Sequence, residues 1–127
     1  MNLEFSLDLG PLEKKLDEAP RSAKQAAAAS LYQSAEEIMT ESKSNYVPVD
    51  TGALRASGFV QPPIIDDRSI SVALSYGGPA VDYALVVHEN PDARHPHGQW
   101  KYLETPLKAH VGDVADRVIE AIKRAME

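Results

Sequence analysis

The amino-acid sequence predicts one α+β domain over residues 1–127, in which a long helix in the N-terminal half and a C-terminal helix pack on a small, mainly antiparallel β-sheet. Two segments, 21–46 and 100–127, carry apolar side chains at helical spacings of three and four residues. Two others, 3–9 and 69–75, alternate apolar and polar side chains, as a strand with one buried face does. A chain of 127 residues suits a single core, and no internal repeat or linker divides it.

Residues 1–19 are predicted to form an N-terminal strand or arm. The strand runs from Leu3 to Leu9 and ends at Gly10-Pro11, after which a short polar turn of helix is expected. Pro20 suits the first position of the next helix, because an amide hydrogen there would have no partner within the helix.

The long helix is predicted over residues 20–46. Its run of alanines favours helix, and Leu31 and Ala35 share one face. Small residues on that face allow another helix, of the same subunit or of a neighbouring one, to approach closely. Pro48 lacks an amide hydrogen and disfavours helical geometry at the preceding residue, so the helix should end near Asn45.

The triplet Asp50-Thr51-Gly52 opens the capped turn and β elements predicted over residues 47–89. An Asp-Thr-Gly loop supplies the catalytic aspartate of aspartic proteases, where a second aspartate must share its proton. A homodimer could bring two copies together, but those enzymes are nearly all β. Asp50 is also a preferred N-cap for a short helix over residues 53–56, and Gly58 suits the left-handed position that ends such a helix. We therefore interpret the triplet as structural.

The remaining segments complete the predicted fold. Residues 59–65 and 69–75 form a hairpin, with Pro62-Pro63 at an edge or a bulge. The apolar segment 81–89 fits either a strand or a short helix.

A loop rich in proline and polar residues is predicted over residues 90–99, followed by the C-terminal helix over residues 100–127. Pro106 should kink or restart this helix. Its predicted apolar face consists of Trp100, Leu103, Leu107, Val111, Val114, Val118 and Ile122.

The composition limits the classes of function. The chain is 43% hydrophobic and 25% charged, as soluble globular proteins are, and its formal net charge of −6 disfavours a general nucleic-acid surface. It contains no cysteine, which excludes disulfides, thiolate metal sites and cysteine nucleophiles. The first ten residues carry neither a signal-peptide pattern nor a membrane span, so cytosolic synthesis is expected.

The histidines raise the alternative of a small metal-dependent hydrolase. His88, Glu89, His95 and His97 supply enough nitrogen and oxygen to hold zinc in principle. Their spacing matches no HExxH helix, and two of them lie in the predicted loop. We interpret the three histidines of this set, together with His110, as solvated surface histidines, and expect neither a metal nor a cofactor.

Several short motifs together resemble the minor structural proteins of tailed bacteriophages, which are known as minor capsid, neck or tail-completion proteins. The resemblance covers most of the chain from about residue 20 onward. The residues that carry it are Val47-Pro48-Val49-Asp50-Thr51-Gly52, Leu54-Arg55, Ser57, Tyr83-Ala84, Val87-His88-Glu89 and Lys101-Tyr102-Leu103-Glu104.

The resemblance implies a small α+β subunit without enzymatic activity, located in the virion. Such a subunit would work in a homo-oligomeric ring at the head-tail junction or at the top of the tail, and we expect six copies. Its partners would be the connector or stopper and tail-tube proteins. Genomic DNA would pass through the channel without sequence-specific binding, which suits an acidic lining. A minor capsid or tail-terminator role in the same virion is the nearest alternative.

The predicted site residues are therefore structural or interaction residues rather than catalytic ones. Tyr83 and Trp100 are interpreted as core or interface anchors in preference to base-stacking groups. Arg55 is expected to pair with a carboxylate of its own or a neighbouring subunit, with Glu89 as the candidate. The full set is Pro48, Asp50, Thr51, Gly52, Leu54, Arg55, Gly58, Tyr83, His88, Glu89 and Trp100.

Overall fold

The computed structural model describes residues 3–8, 17–48, 52–66, 69–79, 81, 83–91 and 101–127. Within these ranges a small antiparallel sheet is combined with two long helices, so the predicted α+β class is confirmed.

In the described part of the chain the sheet has four strands: β1 (Leu3–Asp8), β2 (Phe59–Val60), β3 (Ile64–Ile65) and β4 (Ile70–Tyr76). β4 lies in the centre, with β1 antiparallel on one side and β2 and β3 antiparallel on the other. From the pair at Val60 to the pair at Ile64 the edge advances four residues while β4 advances three. The hairpin prediction is therefore confirmed, and the extra residue makes a bulge in the proline-containing stretch.

Helix α1 spans Arg21–Glu41 and continues as one π-helical turn over Ser42–Tyr46. In this turn the Val47 N–H donates to the Ser42 carbonyl at 2.8 Å. Val47 is extended and Pro48 follows it, so the helical stretch ends within a residue or so of Asn45, where it is predicted to end.

The C-terminal helix α4 spans Glu104–Ala125, so its predicted start at residue 100 is wrong. Lys101 has φ 51, a left-handed conformation that cannot belong to a right-handed helix. Pro106 lies in the first turn of the helix, where a backbone amide has no intrahelical acceptor. A proline is therefore tolerated at this position, and it marks the helix start. Pro20 is likewise displaced by one position: it is the extended N-cap residue of α1, not its first helical residue.

Two short helices have both ends within the described residues, α2 (Ala53–Ala56) and α3 (Ala84–Glu89), and α3 resolves the strand-or-helix alternative for its segment. The residue before α2 is Gly52, at φ 77, and the capping role predicted for Asp50 lies outside the described residues. The left-handed role predicted for Gly58 is wrong, because its φ lies outside that region.

The core lies between the sheet and α1, and between α1 and α4, because α1 contacts both β4 and α4. The C-terminal helix thus packs along α1 more than over the sheet. The predicted face of α4 also includes Val111, which the structure exposes. The buried side chains of the two helices are Ala23, Ala27, Ala28, Leu31, Ser34, Ala35, Ile38, Met39, Pro106, Leu107, Val114 and Val118.

Some predicted features lie outside the described residues and stay predictions. They are the strand end at Leu9 to Pro11, the Asp50 and Thr51 side chains, the loop from residue 92 to residue 99 with His95 and His97, and Trp100.

Candidate functional site

Two of the segments that carry the sequence resemblance meet at a buried group of side chains, which we call the polar–aromatic cluster: Ser42, Tyr76, His88 and Tyr102. All four are fully buried. Ser42 Oγ donates to the Tyr102 carbonyl at 2.7 Å. Because this uses the only hydroxyl hydrogen of Ser42, the Tyr76 hydroxyl must donate to Ser42 Oγ, also at 2.7 Å. The π-helical turn is thereby joined to β4 and to the start of α4.

Tyr102 connects the cluster to α3. Its hydroxyl donates to the Ala84 carbonyl at 2.6 Å. Its ring meets the rings of Tyr76 and His88 edge-on, with centroid separations of 5.0 and 4.9 Å. These T-shaped contacts are the favoured arrangement of neighbouring aromatic rings. One side chain therefore fixes the relative positions of three elements.

His88 is held by both ring nitrogens. Nε2 accepts the backbone N–H of Glu104, the first residue of α4, at 3.2 Å. The proton of the neutral ring must then sit on Nδ1, which lies 3.3 Å from Glu89 Oε1. His88 thus acts as a long-range cap for α4, satisfying one of the amides that a helix start leaves without a partner. Its prediction as a solvated surface histidine is wrong.

A network of charged side chains lies on the surface next to this cap. Lys101 Nζ lies 3.1 Å from Glu89 Oε2 and 3.0 Å from Glu104 Oε2, and Lys108 reaches the same Glu104 oxygen at 3.8 Å. Exposed ion pairs of this kind contribute little to stability, because water screens the charges. Their role here is to orient Glu89 beside His88. In the structure Glu89 pairs with Lys101, and the predicted pairing of Arg55 with a carboxylate of its own or a neighbouring subunit stays a prediction.

Burial sets the protonation states of the cluster. Burial raises the pKa of Tyr76 to about 12 and raises the pKa of Tyr102 as well, so both hydroxyls keep their hydrogens at neutral pH. Burial also lowers the pKa of His88, against an opposing effect of the Glu89 hydrogen bond and charge. The cluster is therefore built around a neutral imidazole, which is the form that can accept the Glu104 amide.

Acidification is expected to destabilise the protein through His88. In the unfolded chain this ring titrates near its ordinary pKa of 6.5, whereas burial keeps it neutral to lower pH in the folded chain. The stabilisation is fully present above pH 6.5 and is lost as the pH falls through the lowered pKa of the folded state. Urea unfolding at about pH 7.5 and about pH 5.5 measures this loss.

The matched variant for that measurement is His88→Gln, whose side-chain carbonyl can still accept an amide hydrogen but does not titrate. We expect the wild-type protein to lose more stability between the two pH values than His88→Gln does. Equal losses in the two proteins would show that His88 does not control the pH dependence.

A second polar region lies between α1 and α4, where a cavity of about 80 Å³ is lined by charged side chains of both helices. His110 Nε2 lies 2.5 Å from Glu41 Oε2, and Arg117 pairs with Glu37. The buried Ser34 hydroxyl, which lines the cavity, has no hydrogen-bond partner among the described residues. A space of this size and polarity admits ordered water, which would satisfy that hydroxyl. We interpret the region as a wet helix-helix contact.

The other predicted site residues have plain structural positions. Pro48 and Leu54 are buried, while Arg55 and Tyr83 are exposed. Position 52 requires glycine, because its φ of 77 is a left-handed conformation that strains residues with a side chain.

Sequence reasoning missed Ser42 and Tyr76 as site residues, and it named Tyr102 only within a motif. Ser42 lies inside a helical stretch and Tyr76 at the end of a strand, and both look locally like ordinary members of those elements. Their hydrogen bonds join residues 34 and 60 positions apart, for which no local pattern gives a signal.

Chemically, the polar–aromatic cluster is a closed structural joint. Its hydroxyls and ring nitrogens are engaged with protein groups, so none is poised as a nucleophile or base.

In the part of the chain that the structure describes, no three acidic or histidine side chains stand close enough to hold a metal ion. No described helix is long and apolar enough to cross a membrane. No family model, curated protein or solved structure matches the chain.

Proposed function

We propose that this chain is a virion structural protein of a tailed bacteriophage. It would form part of a neck or tail-completion ring, at the head-tail junction or at the top of the tail. The sequence resemblance supplies the class of protein. The proposal includes location in the virion, a homo-oligomeric ring and contacts with connector and tail-tube proteins.

The observation that carries the proposal is that separate motifs of the resemblance contact one another. Lys101 pairs with Glu89, and the Glu104 amide donates to His88. The Tyr102 hydroxyl donates to the Ala84 carbonyl. The motifs within residues 83–89 and 101–104 are thus two halves of one joint, which favours a shared way of packing over a coincidence of short matches. A joint of this kind fixes a subunit's shape, as an assembling protein requires.

The surface charge is compatible with this role. An acidic subunit, with a formal net charge of −6, presents little attraction to phosphate. DNA passing through a ring of such subunits would slide without lingering contacts. Head-to-tail contacts between copies of one subunit close into a ring when the rotation between neighbours fits, and we expect six copies.

Assembly of the purified chain tests the proposal. Native mass spectrometry should detect closed oligomers of the 13.8 kDa subunit, either alone or after mixing with the connector and tail-tube proteins of the same virion. Cryo-electron microscopy of the particle should then place the ring at the neck, at the tail top or in the head shell, which separates the neck, tail-terminator and minor-capsid roles. A strictly monomeric chain that binds neither the connector nor the tail tube would refute the proposal.

A further inference from the structure

The cavity between α1 and α4, which we call the interhelix cavity, is lined by a buried hydroxyl group. Ser34 is only 3% exposed, and its Oγ has no hydrogen-bond partner among the described residues. A buried hydroxyl normally has such a partner, because leaving it without one costs stability. The Ser34 hydroxyl therefore marks a position at which a group from outside the chain can be bound.

The charged side chains around the interhelix cavity do not balance. Its lining includes three carboxylates, those of Glu37, Glu41 and Asp113. Arg117 pairs with Glu37, and His110 pairs with Glu41. Asp113 makes no ion pair with a described residue. The carboxylates thus outnumber the cationic side chains even when His110 is protonated, so the cavity attracts a positively charged group.

Two walls of the cavity are apolar. They consist of Ile38 and Val114, which are both buried. A bare metal ion needs oxygen or nitrogen ligands on every side, and no described group of three acidic or histidine side chains is arranged to hold one. A cation with a hydrocarbon stem suits this lining better. Its charged head can meet the carboxylates while its methylene groups pack against the apolar walls.

We propose that the interhelix cavity binds a primary ammonium group, carried either by a free alkylamine or by a lysine side chain of a partner protein. An ammonium group donates three hydrogen bonds and accepts none, which matches a lining of hydroxyl and carboxylate oxygens. It would donate to Ser34 Oγ and to the carboxylates of Asp113 and Glu41. A carboxylate accepts several hydrogen bonds, so Glu41 can keep its contact with His110.

The volume of the cavity limits the size of the bound group. A space of about 80 Å³ has room for about two or three waters, each of which occupies about 30 Å³ in the liquid. An ammonium nitrogen with one or two methylene carbons has the same number of non-hydrogen atoms. Such a group can therefore replace the water of the cavity without displacing α1 from α4.

Titration of the full chain with methylammonium, followed by amide chemical shifts at about pH 7, tests the proposal. The affinity of a ligand with two non-hydrogen atoms is limited, so we expect a Kd of about 10 mM. The shift changes should saturate and should centre on Ser34, His110 and Asp113. Tetramethylammonium carries the same charge but has no hydrogen to donate. At equal ionic strength, it and potassium should bind at least about tenfold more weakly.

Three variants locate the binding. Asp113→Asn and Ser34→Ala should each weaken methylammonium binding by about fivefold or more, because each removes a group that the ammonium contacts. Asp116→Asn is the matched control, since it removes the same charge from an exposed aspartate of α4 that does not line the cavity. It should change the Kd by less than about twofold. Circular dichroism confirms that each variant is folded.

Nα-acetyl-lysine N-methylamide distinguishes the two sources of the ammonium group. If this compound binds at the same residues at least as tightly as methylammonium, a lysine side chain of a partner protein can occupy the cavity. If only methylammonium binds, the ligand is a free amine. Both results support an ammonium site.

Equal shift changes with methylammonium, tetramethylammonium and potassium would show a general attraction of cations to an acidic surface and would overturn the proposal. Shift changes centred outside the cavity, or binding that Asp113→Asn and Ser34→Ala leave unchanged, would overturn it as well. So would the absence of saturation at about 100 mM methylammonium, which would leave water as the occupant. The ammonium site does not depend on the proposed ring, which the assembly experiment tests separately.

Discussion

Replacing Tyr102 with alanine is expected to lower the free energy of unfolding by about 3–5 kcal/mol, the usual cost of removing a buried aromatic side chain. Tyr102 is fully buried, and its ring contacts Tyr76 and His88. Its removal would leave a cavity where three elements meet and would deprive the Ala84 carbonyl of its hydrogen bond. Urea denaturation followed by circular dichroism at neutral pH measures the change.

Two further variants separate the parts of this effect. Tyr102→Phe keeps the ring and removes the hydroxyl, so it should cost about 0.5–1.5 kcal/mol, the usual net contribution of one hydrogen bond. Tyr83→Ala makes the same substitution as Tyr102→Ala at an exposed tyrosine and should cost about 1 kcal/mol or less. If Tyr102→Ala proved no more destabilising than Tyr83→Ala, the cluster would not be the joint that we describe.

Gly58→Ala is expected to destabilise the protein by about 1–3 kcal/mol, as overpacking of a core does. A Cβ atom at this position would lie 2.5 Å from Lys43 Cε, 2.9 Å from Met39 Sδ and 2.8 Å from Tyr76 Cε1. The first two atoms belong to flexible side chains that can move aside. The Tyr76 ring cannot do so easily, because its hydroxyl is bonded to Ser42 in the polar–aromatic cluster.

Gly112→Ala provides the matched control for this prediction. Gly112 lies in α4, and a Cβ there would meet nothing within 4 Å. The substitution should stabilise the protein by about 0.5–1 kcal/mol, because alanine is the better helix former. The two Gly→Ala changes are therefore expected to have opposite signs in the same urea assay. A stabilising effect at both positions would show that the side chains around Gly58 can move aside without loss of stability.

The fold class and the positions of most elements could be predicted from local patterns. The alternation along β1 and β4 and the helical spacing in α1 reflect one-sided burial, which leaves a direct trace in the sequence. Pro48 ends a helical stretch by its own covalent geometry and needs no distant partner. Features of this kind are decided within a few residues.

The errors concern residues whose roles are decided through space. Gly58 follows a short helix, so a left-handed cap was the local expectation, whereas its neighbours Met39 and Tyr76 impose a limit on side-chain size. His88 looked like a surface histidine because its acceptor role depends on an amide 16 residues away. The predicted start of α4 is wrong because the left-handed residue before the helix is Lys101 and not a glycine, so the sequence carries no signal of a turn there.

The pairing of β1 with β4 has a consequence for how the protein is made. On a ribosome that adds about 5–20 residues per second, the roughly 60 residues between these strands take about 3–12 s to synthesise. During that interval Leu3, Phe5 and Leu7 cannot reach the partner strand that buries their side of the sheet. The contact between α1 and α4 forms later still, because α4 ends at Ala125. The nascent chain therefore lacks the partner of its first apolar strand for seconds, and the contact between its two long helices forms only after the sheet can pair.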